Sequence, residues 1–440
     1  MSEKKSILFL STYDKDGGAA SWFLNHAEVL YHNGYNVEMV VKYKRTNKPF
    51  VHCVSTAKDK NFLRTFLTKI YSKKNQRDIF FDADPEYAFF PKEQETDSVI
   101  PTEDIIKSCS FIPDFIISGL TYELANTNTL RQLHELWNVP VYMTAFDANV
   151  YTGGCHVIWD CNKYKLDCSS CPGLMNKERQ AEIEESFAIK VKNIKEADIG
   201  IMYASPWSLH NALQSACFKD APKFDIGMCI DTELYTDVNR DIAKQVFGLP
   251  ENAKVIFAGS ANVNDRRKGV KYLFDALSYL WLDLDSAIKD NIYILLAGGN
   301  VDTLKQQISE LPSFQFKCID FITDNRLLSL AYQAADIFVC PSVDDAGPMM
   351  VAESLSCGTP VVGFPVGLMF DQSCVINGKT GYVVEMKSAT QLSKALKSIL
   401  ELDKKVLKEM SKKCREIALS ELSQAKFVKN FNKLMECIGK

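Results

Sequence analysis

The sequence has no apolar run approaching the roughly 18 residues of a membrane span. Its first apolar run, Ser6 to Thr12, is too short and, led in by Met1-Ser2-Glu3-Lys4-Lys5, wrongly flanked for a secretion signal. Positive charge is not in excess either: the net charge is −4, which argues against a general nucleic-acid binder. Low-complexity segments and short-period repeats are absent. These absences predict a protein made and kept in the cytoplasm. Most of the fourteen cysteines are scattered singly in apolar surroundings, such as Cys229 and Cys340, where Cys acts as a small core residue in a reducing compartment. At 440 residues and about 150 per domain, two or three domains are expected.

Strand and helix patterns alternate along the chain. Ser6 to Ser11 reads as a strand, Ala19 to Asn33 as an amphipathic helix closed by Gly34, and Asn36 to Val41 as a second strand. Strands follow at Asp114 to Ser118, Val139 to Ala145 and Asp198 to Met202, with a helix over Thr127 to Trp137 and another capped by Ser205-Pro206. A second series comprises Lys254 to Ala258, Asn291 to Ala297, Cys318 to Phe321 and Asp336 to Cys340. Such alternation predicts an α/β fold of two doubly wound parallel sheets, Rossmann-like, with a boundary near residues 220 to 232.

The most informative stretch follows the last of these strands, from Pro341 to Val362. Asp345 and Glu353 stand eight residues apart across a loop that opens a helix; Pro348 suits the first helical turn and Gly358 with Thr359-Pro360 ends it. The free N–H groups of a first turn attract phosphate, and carboxylates beside it hydrogen-bond sugar hydroxyls, a combination suited to a sugar nucleotide. After the strand ending at Ala258-Gly259 comes Arg266-Arg267-Lys268-Gly269, a basic run that is either solvated surface or a set of cations able to oppose charge growing on a diphosphate leaving group. Gly17-Gly18 opens the first helix, where glycine either admits a ligand close to the backbone or serves only the dihedrals of the turn.

Two further segments stand out. Cys155, Cys161, Cys168 and Cys171 fall within seventeen residues, and Cys168-Ser169-Ser170-Cys171 has the spacing of half a tetrahedral zinc site. Structural zinc, with His156 as a substitute ligand, competes here with a disulfide or a redox pair. Residues 58–77 hold seven basic residues and one acid, with Phe62, Leu63, Phe66, Leu67, Ile70 and Tyr71 on one helical face. That face either packs on the first domain or lies along an anionic membrane surface.

The Asp345 to Val362 stretch resembles the paired-acid signature of family 4 retaining glycosyltransferases. The Gly153-Gly154-Cys155-His156, Cys161 and Cys168 to Pro172 block resembles one found in colanic-acid, capsule and lipopolysaccharide members. The resemblance implies a GT-B fold, two Rossmann-like domains facing across a cleft. It divides the chain into an acceptor-side domain over 1–222, a nucleotide-sugar domain over 223–422, and a C-terminal helix over 423–440 returning to the first domain. By resemblance, Asp345 contacts the donor sugar and Glu353 the ribose. Arg267 and Lys268 face the diphosphate, Gly17 and Gly18 the donor and acceptor, and Gly347, Pro348, Met349 and Met350 line the donor loop. Family members commonly carry His-Asp where this sequence has Phe146-Asp147, so Asp147 is retained as a catalytic candidate and the histidine is not.

The implied reaction is retaining transfer of a sugar from a nucleotide diphosphate to a glycan or lipid-linked glycan in surface polysaccharide assembly. It proceeds by front-face displacement, without a metal or other cofactor for catalysis. The implied partners are donor and acceptor, with peripheral contact at the cytoplasmic membrane face through 58–77 and no nucleic acid. The alternative is a catalytically inactive sugar-nucleotide-binding or scaffold relative.

Overall fold

A computed structural model of the protein describes residues 5–15, 17–54, 83–89, 95, 100–299, 301–309, 311 and 314–438. The basic segment 58–77 lies outside the described residues.

Aliphatic runs without polar alternation form strands covered on both faces, as parallel sheets require. Ile7, Leu8, Phe9 and Leu10 are fully buried, as are Val255, Ile256 and Phe257. In the first half the strands are β1 (Ser6–Tyr13), β2 (Asn36–Tyr43), β3 (Val51–Cys53), β4 (Phe115–Ser118), β5 (Val141–Thr144), β6 (Gly200–Tyr203) and β7 (Lys223–Asp225). They form one sheet in the order β3-β2-β1-β4-β5-β6-β7, every pairing parallel. The second half supplies β8 (Lys254–Ser260), β9 (Ile292–Gly298), β10 (Gln315–Asp320), β11 (Ile337–Cys340), β12 (Val361–Gly363) and β13 (Gly381–Val383). These make an all-parallel sheet in the order β10-β9-β8-β11-β12-β13.

Helices cover the strands. Those that matter below are α1 (Gly18–His32), α2 (Thr127–Trp137), α3 (Gln180–Glu196), α4 (Val270–Asp283), α5 (Asn325–Ala334), α6 (Met349–Ser356) and α7 (Gln424–Ile438). α2 shows how local sequence sets its limits: the Asn126 side chain accepts the Thr129 N–H, and Asn138 ends the helix in a left-handed conformation with φ 50°. Among the described residues no helix is long and apolar enough to cross a membrane.

The chain divides into two compact units, the first Met1–Ala204, Ser208–Ile226 and Val428–Lys440, the second Ser205–Trp207 and Gly227–Phe427. Within the first, the chain winds outward from β1 to β3 and then resumes on the other side of β1 with β4. The second repeats this around β8, with β11 on its far side. Each unit therefore has a switch point, between β1 and β4 or between β8 and β11, where loops leaving the strands' carboxyl ends part and ligands are received.

Four strands escape the sequence patterns: β3, β7, β12 and β13 have three residues each, too few for a period to show, and all extend a sheet beyond its long central members. The strand expected at Cys318 to Phe321 runs instead from Gln315 to Asp320, an edge strand with alternating polar residues and no fully buried side chain.

Candidate active site

In the second unit, the loop leaving β8 and the loop leaving β11 meet. The Asp265 side chain accepts the Arg267 N–H and caps a short turn over Arg266–Lys268, which Gly269 closes with φ 63°. A Cβ on Gly269 would stand 1.9 Å from the Pro341 carbonyl oxygen, so only glycine lets the two loops approach this closely. The Val343 N–H then donates to the Arg267 carbonyl at 2.8 Å.

This contact sets the charges. Lys268 Nζ lies 2.6 Å from Asp345 Oδ2, and Arg267 Nη2 lies 2.6 Å from Asp265 Oδ2. Asp345 raises the Lys268 pKa against the effect of burial. Burial disfavours the Arg267 charge, but Asp265, Asp345 and Asp344 outweigh it and raise that pKa too. Both cations stay charged, and both remain about one-third exposed, at 32% and 35%. The Gly347 N–H donates to Asp345 Oδ1 at 3.3 Å, folding the loop back on the carboxylate ahead of α6. The turn at Gly367 packs beneath: a Cβ there would meet Pro348 Cδ at 2.3 Å. Met350 reaches the end of β8, 3.0 Å from where a Gly259 Cβ would lie.

Glu353 has a different setting. It points into the core, only 7% exposed, and accepts the Tyr332 hydroxyl of α5 at 2.8 Å. Burial raises its pKa, while hydrogen bonds from Tyr332 and Tyr235 partly offset this. Both tyrosines and Gly367 went unnoticed in the sequence, because nothing in their neighbourhoods marks which distant side chain they meet. Asp265 carries a readable signal, a cap residue ahead of a basic turn.

In the first unit, Gly17 precedes α1 with φ 87°, and a Cβ on Gly17 or Gly18 would meet nothing within 4 Å. The conformation needs glycine at 17, and the space beside both is open. Phe146 packs edge-on against Trp22 and Phe23, with ring centroids 4.8 and 5.5 Å away. Asp147, next along, turns the other way: its Oδ1 accepts the Asn149 N–H at 2.9 Å and its Oδ2 lies 2.7 Å from His156 Nδ1. Burial alone would raise the Asp147 pKa, but His156, the Asn149 N–H and Lys190 outweigh it and hold the carboxyl below its usual range. An ionised carboxylate only accepts, so His156 Nδ1 carries the proton in this bond.

Asp147 and His156 share a cavity with Glu95 and Lys190, about 540 Å³ of non-atom space partly open to solvent. Lys190 is 4% exposed; its ammonium donates to the carbonyls of Asn149 at 2.7 Å and Thr152 at 3.0 Å and lies 3.7 Å from Glu95. Glu95 Oε2 in turn accepts from the Thr127 N–H at 2.8 Å and hydroxyl at 2.6 Å.

Cys155, Cys161, Cys168 and Cys171 line one further cavity of the first unit. Among the described residues, however, no group of three or more His, Cys, Asp or Glu side chains is placed to hold a metal ion. The thiols have other surroundings: Cys168 Sγ accepts the Gly153 N–H at 3.2 Å, Cys161 Sγ the Lys163 N–H at 3.5 Å, and His156 turns to Asp147. All four are free thiols, and burial raises the pKa of Cys155, Cys168 and Cys171.

Residues 239–419, which include Arg267, Lys268, Asp345 and Glu353, match the family described as Glycosyl transferases group 1. D-inositol 3-phosphate glycosyltransferase 1 of Catenulispora acidiphila is 27% identical over 180 residues, 39% of this chain and 42% of that protein. An Escherichia coli UDP-Gal:alpha-D-GlcNAc-diphosphoundecaprenol alpha-1,3-galactosyltransferase is 25% identical over 224 residues, 47% of this chain and 53% of that one. The chain thus spans about half the length of these curated relatives. Among solved structures, Anabaena Alr3699/HepE in complex with UDP-glucose superposes with a TM-score of 0.62 at 16% identity, over 98% of this chain and 99% of that one. At that identity the likeness concerns the fold, and the two parallel-sheet units are those of a GT-B protein.

Proposed function

We propose that the protein is a retaining glycosyltransferase that takes a hexose-like unit from a nucleotide diphosphate to a glycan or lipid-linked glycan, in surface polysaccharide assembly. The observation that carries this reading is the Lys268–Asp345 pair, with Arg267 beside it, at the switch point of the second sheet. Its ingredients match what the reaction demands. The cations oppose the charge that grows on the leaving diphosphate, which stabilises the transition state more than the bound donor. Asp345 accepts hydroxyl hydrogen bonds from the donor sugar while fixing Lys268. The first turn of α6 offers N–H groups to phosphate, and Glu353, on that helix and held by Tyr332, is the ribose contact that the resemblance implies.

Retention follows from front-face displacement, in which the departing phosphate oxygen takes the proton of the acceptor hydroxyl. No protein nucleophile and no metal enters that step. The uridine-nucleotide donors named for the E. coli relative and the Anabaena structure, and the lipid diphosphate acceptor named for the former, support this class of substrates.

The test is a panel of uridine, guanosine and adenosine diphosphate sugars, read by thermal stabilisation and by nucleotide release with and without acceptor. Stabilisation by one base series and transfer with retained anomeric configuration are expected. No stabilisation by any nucleotide sugar would overturn the reading. Binding without transfer to any acceptor would favour the scaffold alternative.

A further inference from the structure

Between β5 and α3 the chain runs from Ala145 to Arg179 with no helix or strand beyond three 3-10 turns of three residues each, Asn149–Tyr151, Lys163–Lys165 and Lys177–Arg179. An ordered stretch of that length without ladders is uncommon, and it needs some other means of keeping its shape. Its Cys171 end has only a small core, Ala83, Cys171 and Leu174.

The four cysteines stand at the hub of this stretch. Cys155, Cys161, Cys168 and Cys171 line one cavity, and Cys155 lies within electrostatic reach of the other three. About 10 Å³ there is open to the centre of a water-sized sphere, which is room for one such body and for no organic ligand. The backbone that carries the thiols is firmly set. Gln180 of α3 holds the Cys168–Cys171 turn at both ends, its Oε1 accepting the Cys171 N–H at 2.6 Å and its Nε2 donating to the Cys168 carbonyl at 3.0 Å. Within the turn Cys168 and Ser170 are left-handed, with φ 55° and 51°, a conformation that non-glycine residues keep only where their surroundings impose it.

The surroundings of the sulfurs suit thiolates. The Gly153 N–H donates to Cys168 Sγ and the Lys163 N–H to Cys161 Sγ, while the Gly173 and Leu174 N–H groups reach Cys171. N–H groups aimed at sulfur favour its anionic form, which is the form that ligates metals. Lys163 is on the wall, and Lys177 and Lys190 lie within electrostatic reach of Cys171 and Cys168. No carboxylate lines the cavity, and His156 is engaged by Asp147, so the donor set is sulfur alone. Four sulfurs select zinc or an iron–sulfur cluster, and the space excludes a cluster. As placed, no three of the thiols converge on a metal position. Each cysteine has one side-chain torsion, so convergence is a change among staggered rotamers.

We propose that Cys155, Cys161, Cys168 and Cys171 bind one zinc ion that staples the loop between β5 and α3. Binding replaces four S–H bonds by four Zn–S bonds and releases four protons to solvent. Four thiolates complete a tetrahedral ion, which leaves no position for substrate, so the ion is structural.

The test uses full-length protein purified in reducing buffer without chelator. Elemental analysis should find about one zinc per chain. Cobalt put in its place should give thiolate-to-metal charge-transfer bands and the strong visible absorption of a tetrahedral site. Removing the metal should speed amide hydrogen exchange across residues 152–180 and leave the second unit unchanged. Cys161→Ser and Cys171→Ser should each weaken zinc by more than the about 10–100-fold of changes outside the ligand set, whereas Cys53→Ser should keep the metal. Zinc-free protein that gives no cobalt bands after phosphine reduction would overturn the proposal. So would zinc retained by both cluster variants, or disulfides among the four cysteines that persist in reducing buffer by mass spectrometry. Should the variants not fold, the metal content and cobalt spectrum of the wild type still decide.

Discussion

Asp147, whose side chain is 26% exposed, and Glu353, 7% exposed, are carboxylates beside a parallel sheet, one in each unit, yet their pKa values move in opposite directions. Asp147 is held below its usual range, whereas Glu353 is raised above it. Burial opposes ionisation at both. The difference lies in what meets the oxygens: Asp147 faces His156, a backbone N–H and the nearby Lys190, while Glu353 faces two tyrosine hydroxyls and no cation. A hydroxyl satisfies a lone pair without supplying charge, so it cannot fully replace water around an anion. Burial therefore sets the cost of ionisation, and the charge of the partner settles its sign. The lysines sharpen the same point, because Lys190 is sealed and committed whereas Lys268 stays one-third exposed on a single acid and can turn to a ligand.

The largest effect expected from breaking this contrast comes from Lys190→Met. It strips Glu95 and Asp147 of their buried cation and takes a donor from the Asn149 and Thr152 carbonyls, the former keeping the Thr152 N–H at 3.3 Å, a loss of about 3–5 kcal/mol. Denaturant unfolding should show the first unit melting well before the second. A shift under 1 kcal/mol would mean that water replaces the ammonium.

Asp147→Asn removes the charge and keeps the shape, and about 1–3 kcal/mol should be lost at pH 7. Because the native pKa of Asp147 lies below its unfolded value, its contribution is complete above the unfolded pKa and fades as pH falls through the native one. Stability curves of wild type and variant should converge in acid. Parallel curves down to pH 3 would show that the carboxylate is not what His156 stabilises.

For Lys268→Ala the expected loss is in turnover rather than stability. About tenfold to a hundredfold in kcat corresponds to one charge-assisted hydrogen bond strengthened in the transition state. Unfolding should move by no more than about 1 kcal/mol, since a partly exposed pair contributes little to the fold. A rise in KM with kcat intact would assign the lysine to ground-state binding.

Glu353→Gln should change stability least, by less than about 1 kcal/mol at pH 7, because the amide oxygen still accepts a tyrosine hydroxyl and no charge has to be buried. The native pKa of Glu353 lies above its unfolded value, so its favourable contribution is present below the unfolded pKa and is lost as pH rises through the native one. The variant should thus gain on wild type between acid and neutral pH. Nucleotide affinity, measured in the same samples, should fall by about 1–3 kcal/mol if the ribose is its ligand.

Much of this protein was written locally. Strand runs such as Ser6 to Ser11, the helix from Thr127 to Trp137 with its Asn126 cap, and the Pro348 to Gly358 helix follow from hydrophobic period, caps and breakers, which act within a few residues. The same short range singled out Arg267, Lys268, Asp345 and Glu353, because the pattern that marks them lies in contiguous loops. Tertiary structure decided the partners. Lys268 meets Asp345 across 77 residues, Glu95 meets Thr127 across 32, and Glu353 meets Tyr332 across 21. Even Asp147 and His156, nine residues apart, are joined only by a loop whose path the sequence leaves open. The spacing of four cysteines left structural zinc, a disulfide and a redox pair open, and the fold brings all four thiols to one cavity. Spacing limits which groups can meet, but the register of parallel strands and the packing of loops at their ends select which do, and that selection depends on contacts between residues far apart in the chain.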